Sequence, residues 1–378
     1  MKKDNIEKIV KASFSDGNLV RILHGGRETF ELIINEIERA EKFLTLQFYI
    51  FRNDDTGKKI ANLLKKKAGE GIKVYVLYDH FGSFGTPRGF WKELINAGIK
   101  VAASRPFKLS APLKYVRRDH RKLIIIDGRK AFTGGLNIAN EYSGFHLRRK
   151  EPWRDTGILI EGPAVYQLFE EFRRAWRLWA GESIENFSGP LFSFKEGYPV
   201  IPIFASSFRG SRRFRKLLYY CIKNSKRFIY ITTAYFVPGL RLLNCIIKAA
   251  RRGVDVRLIL PGISDVPAAH YAGRAFYTGL LRNGVRIFHY EGAVLHAKSY
   301  VFDGLFSIVG SANLDAQSLR WNDEGNVGIW SEDFGFYMKN LFEDDLKRSN
   351  EIFLDEWFGR PLCDRIKEKF FAMFRARL

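Results

Sequence analysis

The segment "HRKLIIID" at residues 120–127 returns as "HAKSYVFD" at residues 296–303, with histidine, lysine and aspartate each displaced by 176 positions. Further along, "GGLN" (134–137) and "GSAN" (310–313) keep the same displacement. One H-x-K-x-x-x-x-D match arises by chance at about one starting position in eight thousand. Two copies, each extended by G-x-x-N at a common offset, are therefore a duplication. A chain of 378 residues also exceeds the usual reach of one hydrophobic core. The duplication restricts the fold to two similar units that meet in a related way.

The order of elements repeats as well. Apolar positions Phe30, Ile33, Ile34, Ile37 and Ala40 follow a helical period, and "FLTLQFYIF" from Phe43 reads as a buried strand. A helix over residues 58–69, a strand "IKVYVLYD" from Ile72, a helix near residues 91–97 and a strand from Ile99 complete an α/β alternation. The second round runs through a helix at 214–224, "FIYITTAYF" from Phe228, "LLNCIIKAARRG", "VDVRLILPG" from Val254, a helix at 274–283 and "VRIFHY" from Val285. A period this long denotes duplicated domains rather than a solenoid. The Gly-, Ser- and Pro-containing stretch at 181–199 reads as a linker, which divides the chain into residues 1–190 and 191–378. The first unit carries an insertion, "RPFKLSAPLK", ahead of its motif. The expected fold class is α/β: two similar halves, each a mixed sheet flanked by helices, related by a pseudo-twofold axis with one site between them.

Composition narrows the partners. The 62 Lys and Arg against 41 Asp and Glu give a formal charge of +21, which favours anionic partners such as phosphate-bearing substrates, anionic lipid or nucleic acid. Cys221, Cys245 and Cys363 are few and dispersed, so a disulfide framework or structural zinc is not expected, and a reducing compartment is the simpler reading. The N-terminus lacks the apolar region of a signal peptide, and no stretch approaches the ~18 apolar residues of a spanning helix, so a soluble or membrane-peripheral protein is expected.

Residues two apart on a strand share a face, so His120 projects with Lys122 and His296 with Lys298. Asp127 and Asp303 complete the motifs and are counted with the catalytic set. Each also precedes a glycine between apolar runs, a hairpin signal that reads as turn and scaffold. Asn137 and Asn313 precede short helical segments, where they cap a helix or present an amide to a bound anion. "WRDTGILI" and "WNDEGNVGI" place Asp155 and Glu324 just ahead of strands. A carboxylate on one imidazole nitrogen fixes the tautomer and leaves the other nitrogen for reaction. Packed about a twofold axis, the two units give one pocket two histidines, two lysines and two asparagines, a phosphoryl site that needs no metal. The other histidines, His24, His80, His146, His270 and His289, show no metal-ligand spacing.

These residues resemble the paired HKD motifs of the phospholipase D superfamily. "YIFRNDDTGKKIANLLKKKAGEGIKVYVLYD", "RRDHRKLIIIDGRKAFTGGLNIANEY", "AARRGVDVRLILPGISD" and "GSANLDAQSLRWNDEGNV" are similar to bacterial cardiolipin synthases, and the likeness runs from about residue 18 to residue 363. The resemblance implies a phosphatidyltransferase that condenses two phosphatidylglycerol molecules into cardiolipin and glycerol through a phosphohistidine, with no cofactor. It implies His120 as nucleophile, His296 as general acid and base, Lys122, Lys298, Asn137 and Asn313 as phosphate binders, and Asp155 and Glu324 as histidine orienters. Many such enzymes begin with two hydrophobic segments. Lacking these, the sequence resembles the branch with a soluble start.

The same superfamily contains lipid hydrolases and nucleases, which stand as alternatives. The C-terminal "RIKEKFFAMFRARL" spaces Ile366, Phe370, Phe374 and Leu378 four apart among Lys and Arg, as an interfacial helix on anionic lipid would, or as a helix packed on its own domain would. The basic segment at 208–218 is read the same way. Trp153 and Trp321 are expected in the core and give no support to base stacking. The expected partners are therefore phosphatidylglycerol and a membrane surface at the cytoplasmic face of the bacterial cell membrane, not nucleic acid, with no obligatory protein partner inferred.

Overall fold

The computed structural model describes residues 1–107, 117–145, 151–185 and 192–376. Most of the insertion at 105–114, the middle of the linker, His146 and Leu378 lie outside them. The strands of the first round are β1 (Ser15–Leu23), β2 (Phe43–Phe48), β3 (Lys73–Asp79), β4 (Lys100–Ser104), β5 (Leu123–Ile126), β6 (Lys130–Gly134) and β7 (Gly157–Glu161). Those of the second are β8 (Tyr198–Ala205), β9 (Phe228–Thr233), β10 (Asp255–Pro261), β11 (Arg286–Tyr290), β12 (Lys298–Phe302), β13 (Phe306–Gly310), β14 (Glu324–Trp330) and β15 (Ser349–Ile352).

Their spatial order is β15-β11-β10-β9-β12-β13-β14-β8-β1-β7-β6-β5-β2-β3-β4. Read outward from the β8–β1 pair, the two arms match strand for strand, with β15 added at one end. Parallel pairing is confined to β2–β3–β4 and β9–β10–β11, whose crossovers are helices, and the motif strands β5 and β12 add antiparallel hairpins beside them. Instead of a separate sheet in each unit, one sheet of 15 strands runs through the molecule. The join is β1 against β8, a short pairing of irregular register (Ser15 with Val200, Asn18 with Tyr198). Buried Asn18 secures it by donating to the Tyr198 and Ser15 carbonyls and accepting from Ala164 N.

Strands β2 and β9 are buried along their whole length, as unbroken apolar runs in a sheet covered on both faces must be. Alternating side chains serve the two faces. Phe43 and Phe228 point into a cluster shared by both rounds of the chain, sealed by the helices Ala164–Ala180 and Glu332–Leu346. Leu44 and Leu46 face a second cluster, with the helices Gly26–Glu38 and Asp55–Gly69. Ile229 and Ile231 face a third, with the helices Phe208–Asn224 and Leu240–Arg251. The sheet is thus continuous through one common core on one side and covered by two separate cores on the other.

Asp127 and Asp303 each begin a type I′ turn in the left-handed region, with φ of 54° and 56°, followed by Gly128 and Gly304 at 66° and 69°. Their carboxylates reach back to the start of the neighbouring strand. Asp127 accepts from Glu41, Lys42 and Phe43 N, and Asp303 from Lys226, Arg227 and Phe228 N. Each hairpin is thereby fastened to β2 or β9. The hydrogen bonds to the buried Asp127 are part-buried or buried, whereas those to Asp303 are largely exposed. Because unsatisfied buried donors cost more than hydrated ones, Asp127→Ala is expected to lower unfolding free energy by about 2–4 kcal/mol, and Asp303→Ala by about half as much. Denaturant titration of both variants measures the difference, and an equal loss would contradict this ranking.

Candidate active site

The two motifs enter one cavity of about 490 Å³, whose walls include His120, His296, Asn137 and Asn313. The backbone brings them there by exchange. His120 N donates to the Asp323 carbonyl and Asp323 N to Arg118 O, while His296 N donates to Arg154 O and Arg154 N to Val294 O. Each motif is therefore laced to the segment ahead of the last hairpin strand of the opposite repeat.

The side chains cross in the same way. His120 Nδ1 lies 3.0 Å from Glu324 Oε2, and His296 Nδ1 lies 2.6 Å from Asp155 Oδ2. With a carboxylate as acceptor, Nδ1 carries the proton and Nε2 is left facing the cavity. The two acids differ in length because their surroundings differ. Beside Asp155 stands Gly135, where an added Cβ would lie 2.1 Å from Oδ1. Beside the longer Glu324 stands Ser311, whose hydroxyl donates to the same Oε2 that holds His120. Asp155 is held in addition by Thr156 N at 2.7 Å.

Lys122 and Lys298 are buried behind the histidines, each ammonium returning to the carbonyl of the histidine two residues earlier. The Lys122 ammonium also lies 5.3 Å from the Tyr49 ring centre. Burial lowers the Lys122 pKa to about 7 and that of Lys298 to about 8. Burial likewise lowers His296 to about 4, helped by Lys298 and opposed by Asp155, and lowers His120, where Lys122 adds and Glu324 opposes. At neutral pH both imidazoles are neutral, and an incoming anion would favour the charged form of all four groups.

Asn137 and Asn313 do not cap helices. Asn137 Oδ1 accepts from Ile50 N and its amide donates to the Tyr142 hydroxyl, whereas Asn313 Oδ1 accepts from Thr233 Oγ1 and Tyr235 N. The short helix after Asn137 starts at Asn140, with Ala139 at its cap position. Both asparagines sit in the cavity wall while holding the loops that follow β2 and β9.

Sequence reasoning missed the aromatic frame. Tyr49 meets the His120 ring edge-on at 5.0 Å, and His296 is met by Tyr142 at 5.3 Å, Trp153 at 5.6 Å and Tyr235 at 6.4 Å. Trp153, expected in the core, lines the cavity, and Trp321 is 43% exposed. The available signal was position: Tyr49 and Tyr235 close the apolar strands β2 and β9, where a residue leaves the sheet toward the site. Arg52, Arg118, Asp265 and Asp315 in the cavity wall were also passed over. Among the described residues no group of three or more His, Cys, Asp or Glu is placed to hold a metal.

A duplicated α/β arm that brings two HKD motifs to one cavity at the join defines a phospholipase D-like protein. The family model described as "Cardiolipin synthase, PLD-like domain" matches residues 33–176 and 218–346. The chain is 35% identical to the cardiolipin synthase of Geobacillus thermodenitrificans (strain NG80-2) over 92% of its own length and 70% of that protein. It is 33% identical to the major cardiolipin synthase ClsA of Bacillus subtilis (strain 168) over 94% of its length and 75% of that protein. In fold it resembles the crystal structure of the phosphatidylserine synthase of Haemophilus influenzae Rd KW20, with a TM-score of 0.77, 14% identity and coverage of 100% of this chain and 98% of that one. The chain belongs to the cardiolipin synthase family.

The lowered lysine pKa values give a direct test. A phosphate anion favours the ammonium form, so binding near pH 8 should draw protons from solvent. Calorimetric titration with glycerol 3-phosphate in two buffers of different ionisation enthalpy should therefore show net proton uptake, reduced in Lys122→Met. Binding without uptake would mean that both lysines are already charged in the empty cavity.

Proposed function

We propose that the protein makes cardiolipin and glycerol from two phosphatidylglycerol molecules, with His120 as nucleophile and His296 as proton carrier. The crossed pairing of His120 with Glu324 and His296 with Asp155 in a single cavity carries this reading. His120 Nε2 attacks phosphorus of the first lipid and the bond to the glycerol oxygen breaks. His296, protonated on Nε2 once the anion is bound, gives its proton to that departing alkoxide. A glycerol hydroxyl of the second lipid then loses its proton to His296 and attacks the phosphohistidine, forming cardiolipin and releasing His120. Lys122, Lys298, Asn137 and Asn313 supply positive charge and amide dipoles around the phosphoryl oxygens. The roles of the two histidines follow the resemblance to the family.

Phosphatidylglycerol vesicles, incubated with the enzyme with and without chelator, are expected to yield cardiolipin and glycerol by mass spectrometry. His120→Ala and His296→Ala should each lower the rate by about 10³-fold or more. A quenched reaction should contain a phosphorylated peptide spanning His120. Label on the His296 peptide would reverse the two roles, phosphatidic acid as the sole product would make the enzyme a hydrolase, and DNA cleavage without lipid turnover would overturn the proposal.

The protein is further proposed to work as a peripheral protein on an anionic membrane, on the cytoplasmic face. No helix of the described residues is long and apolar enough to cross a membrane. The helix Leu362–Ala372 is attached to the body by its other face. Glu368, only 2% exposed, takes Arg360 and Arg274, and Phe371 stacks on Tyr271. Leu362, Ile366, Phe370, Met373 and Phe374 remain exposed, beside Lys369 and Arg375. An apolar stripe edged with cations suits the interface of an anionic bilayer. Ile366→Asp with Phe370→Asp is expected to weaken binding to phosphatidylglycerol vesicles by at least about tenfold in a flotation assay. Turnover of a short-chain, water-soluble phosphatidylglycerol should stay unchanged. Undiminished vesicle binding would place the docking surface elsewhere.

A further inference from the structure

The two repeats supply equivalent histidines, lysines and asparagines, but they do not supply equivalent walls. Position 315, just beyond the second asparagine, is Asp, and the residue 176 positions earlier is Ala139. Position 318 is Ser where the first repeat has Tyr142. The cavity therefore receives the acids Asp265 and Asp315 from the second repeat and the cations Arg52 and Arg118 from the first.

Asp315 is 5% exposed, and its Oδ1 accepts from Ser318 N at 2.6 Å. Asp265 stands at the rim, with Oδ2 accepting from the Tyr235 hydroxyl at 2.8 Å, and the Tyr235 ring is one of those around His296. Neither carboxylate has a cationic partner within salt-bridge distance among the described residues, although both line a cavity in a strongly basic protein. Of the two cations, Arg52 is held by Glu141 at 3.0 Å, and the Arg118 guanidinium lies 3.9 Å from the Phe81 ring centre.

We infer that Asp265 at the rim, on the Tyr235 that faces His296, and Asp315 deeper in the same wall form a polyol subsite that takes the free hydroxyls of a glycerol headgroup, while Arg52 and Arg118 draw lipid phosphate to the first repeat's share of the cavity. The inference deepens the proposed phosphatidyl transfer and rests on it. Burial raises the Asp315 pKa to about 7; once ionised, it and Asp265 repel a phosphodiester and accept strongly from hydroxyl donors, which suits this wall to a headgroup polyol rather than to phosphate. Its rim acid, Asp265, stands by the Tyr235 ring that faces His296, the proposed proton carrier, where the glycerol alkoxide must depart and the second glycerol hydroxyl must later arrive. A buried acceptor that needs a hydroxyl rejects a headgroup lacking one, because it would lose water without replacing the hydrogen bond. The duplication alone would have made the two walls alike. Asp315 in place of an alanine gives the cavity a direction.

The test compares phosphatidylglycerol with phosphatidylpropanol, whose headgroup lacks the free hydroxyls, each carried as donor in phosphatidylcholine vesicles with the same excess of ethanol as acceptor, phosphatidylethanol being the product read. The wild type is expected to consume phosphatidylglycerol at least about tenfold faster. Asp315→Ala should erase that preference by slowing phosphatidylglycerol alone, and Asp315→Asn, which keeps shape and one acceptor oxygen, should retain part of it. An equal loss on both donors in either variant would make Asp315 structural and overturn the subsite. So would a wild type that consumes both donors equally, which leaves phosphatidyl transfer standing. Turnover of neither donor by the wild type would remove the transfer reading itself. A faster, Asp315-dependent use of phosphatidylethanolamine as donor, releasing ethanolamine, would assign the wall to an ammonium group and overturn the polyol assignment.

Discussion

The hydrogen bond from an imidazole of one repeat to a carboxylate of the other is the interaction on which the remaining site geometry depends. His120 without Glu324, or His296 without Asp155, would be a neutral ring free to take either tautomer and to turn about its side-chain bonds. Since each partner is supplied from across the join, neither repeat contains a finished histidine. The backbone exchange around Asp323 and Arg154 places the carboxylates, and the β1–β8 pairing with its buried Asn18 holds the arms in register. Folding and assembly of the site are thus one event, driven by the apolar cluster that the two rounds of the chain share on one face of the sheet.

That arrangement sets the electrostatics. Two lysines, two histidines and two orienting acids are buried within one small volume. Taking an ammonium out of water disfavours its charge, which is why Lys122 and Lys298 titrate far below an exposed lysine. The acids offset part of this penalty, and each lysine gains the carbonyl of its own histidine. The empty cavity therefore holds cations that are only partly charged and imidazoles that are neutral, a state that an entering phosphodiester would pull toward full charge. Preorganised donors with little water to displace are the usual source of electrostatic stabilisation in phosphoryl transfer.

Much of this was legible in the sequence because it depends on period and spacing. The α/β alternation, the matching motifs and the carboxylates ahead of β7 and β14 all follow from residue order. What the sequence could not reveal were relations across space. Asp155 and Glu324 were recognisable as histidine partners, yet nothing in the spacing says that each serves the histidine of the other repeat. The strands β1 and β8 were overlooked because "SDGNLVRIL" and "YPVIPIFA" carry glycine, proline and charge, and their pairing is made by contact between repeats. The C-terminal stripe admitted two placements by periodicity. Only the burial of Glu368 against Arg274 and Arg360, unexpected for a glutamate, shows which side faces the protein.

A twofold scaffold carries out a reaction whose two partners do different things. One histidine must bond phosphorus while the other moves a proton, and one lipid donates while the other accepts. Duplication gives both histidines the same backbone, the same lysine and the same asparagine, so the difference has to come from residues that the repeats do not share. Gly135 against Ser311, Asp155 against Glu324 and Ala139 against Asp315 are such residues: Asp315 lines the cavity, and those of the first two pairs stand behind the histidines that do. The first two alter how tightly each imidazole is held, 2.6 Å against 3.0 Å. The third alters what each wall can accept. Specialisation in this fold therefore needs no change in the sheet or in the motifs: a few side chains around the cavity are enough for one repeat to line it with cations and the other with acids.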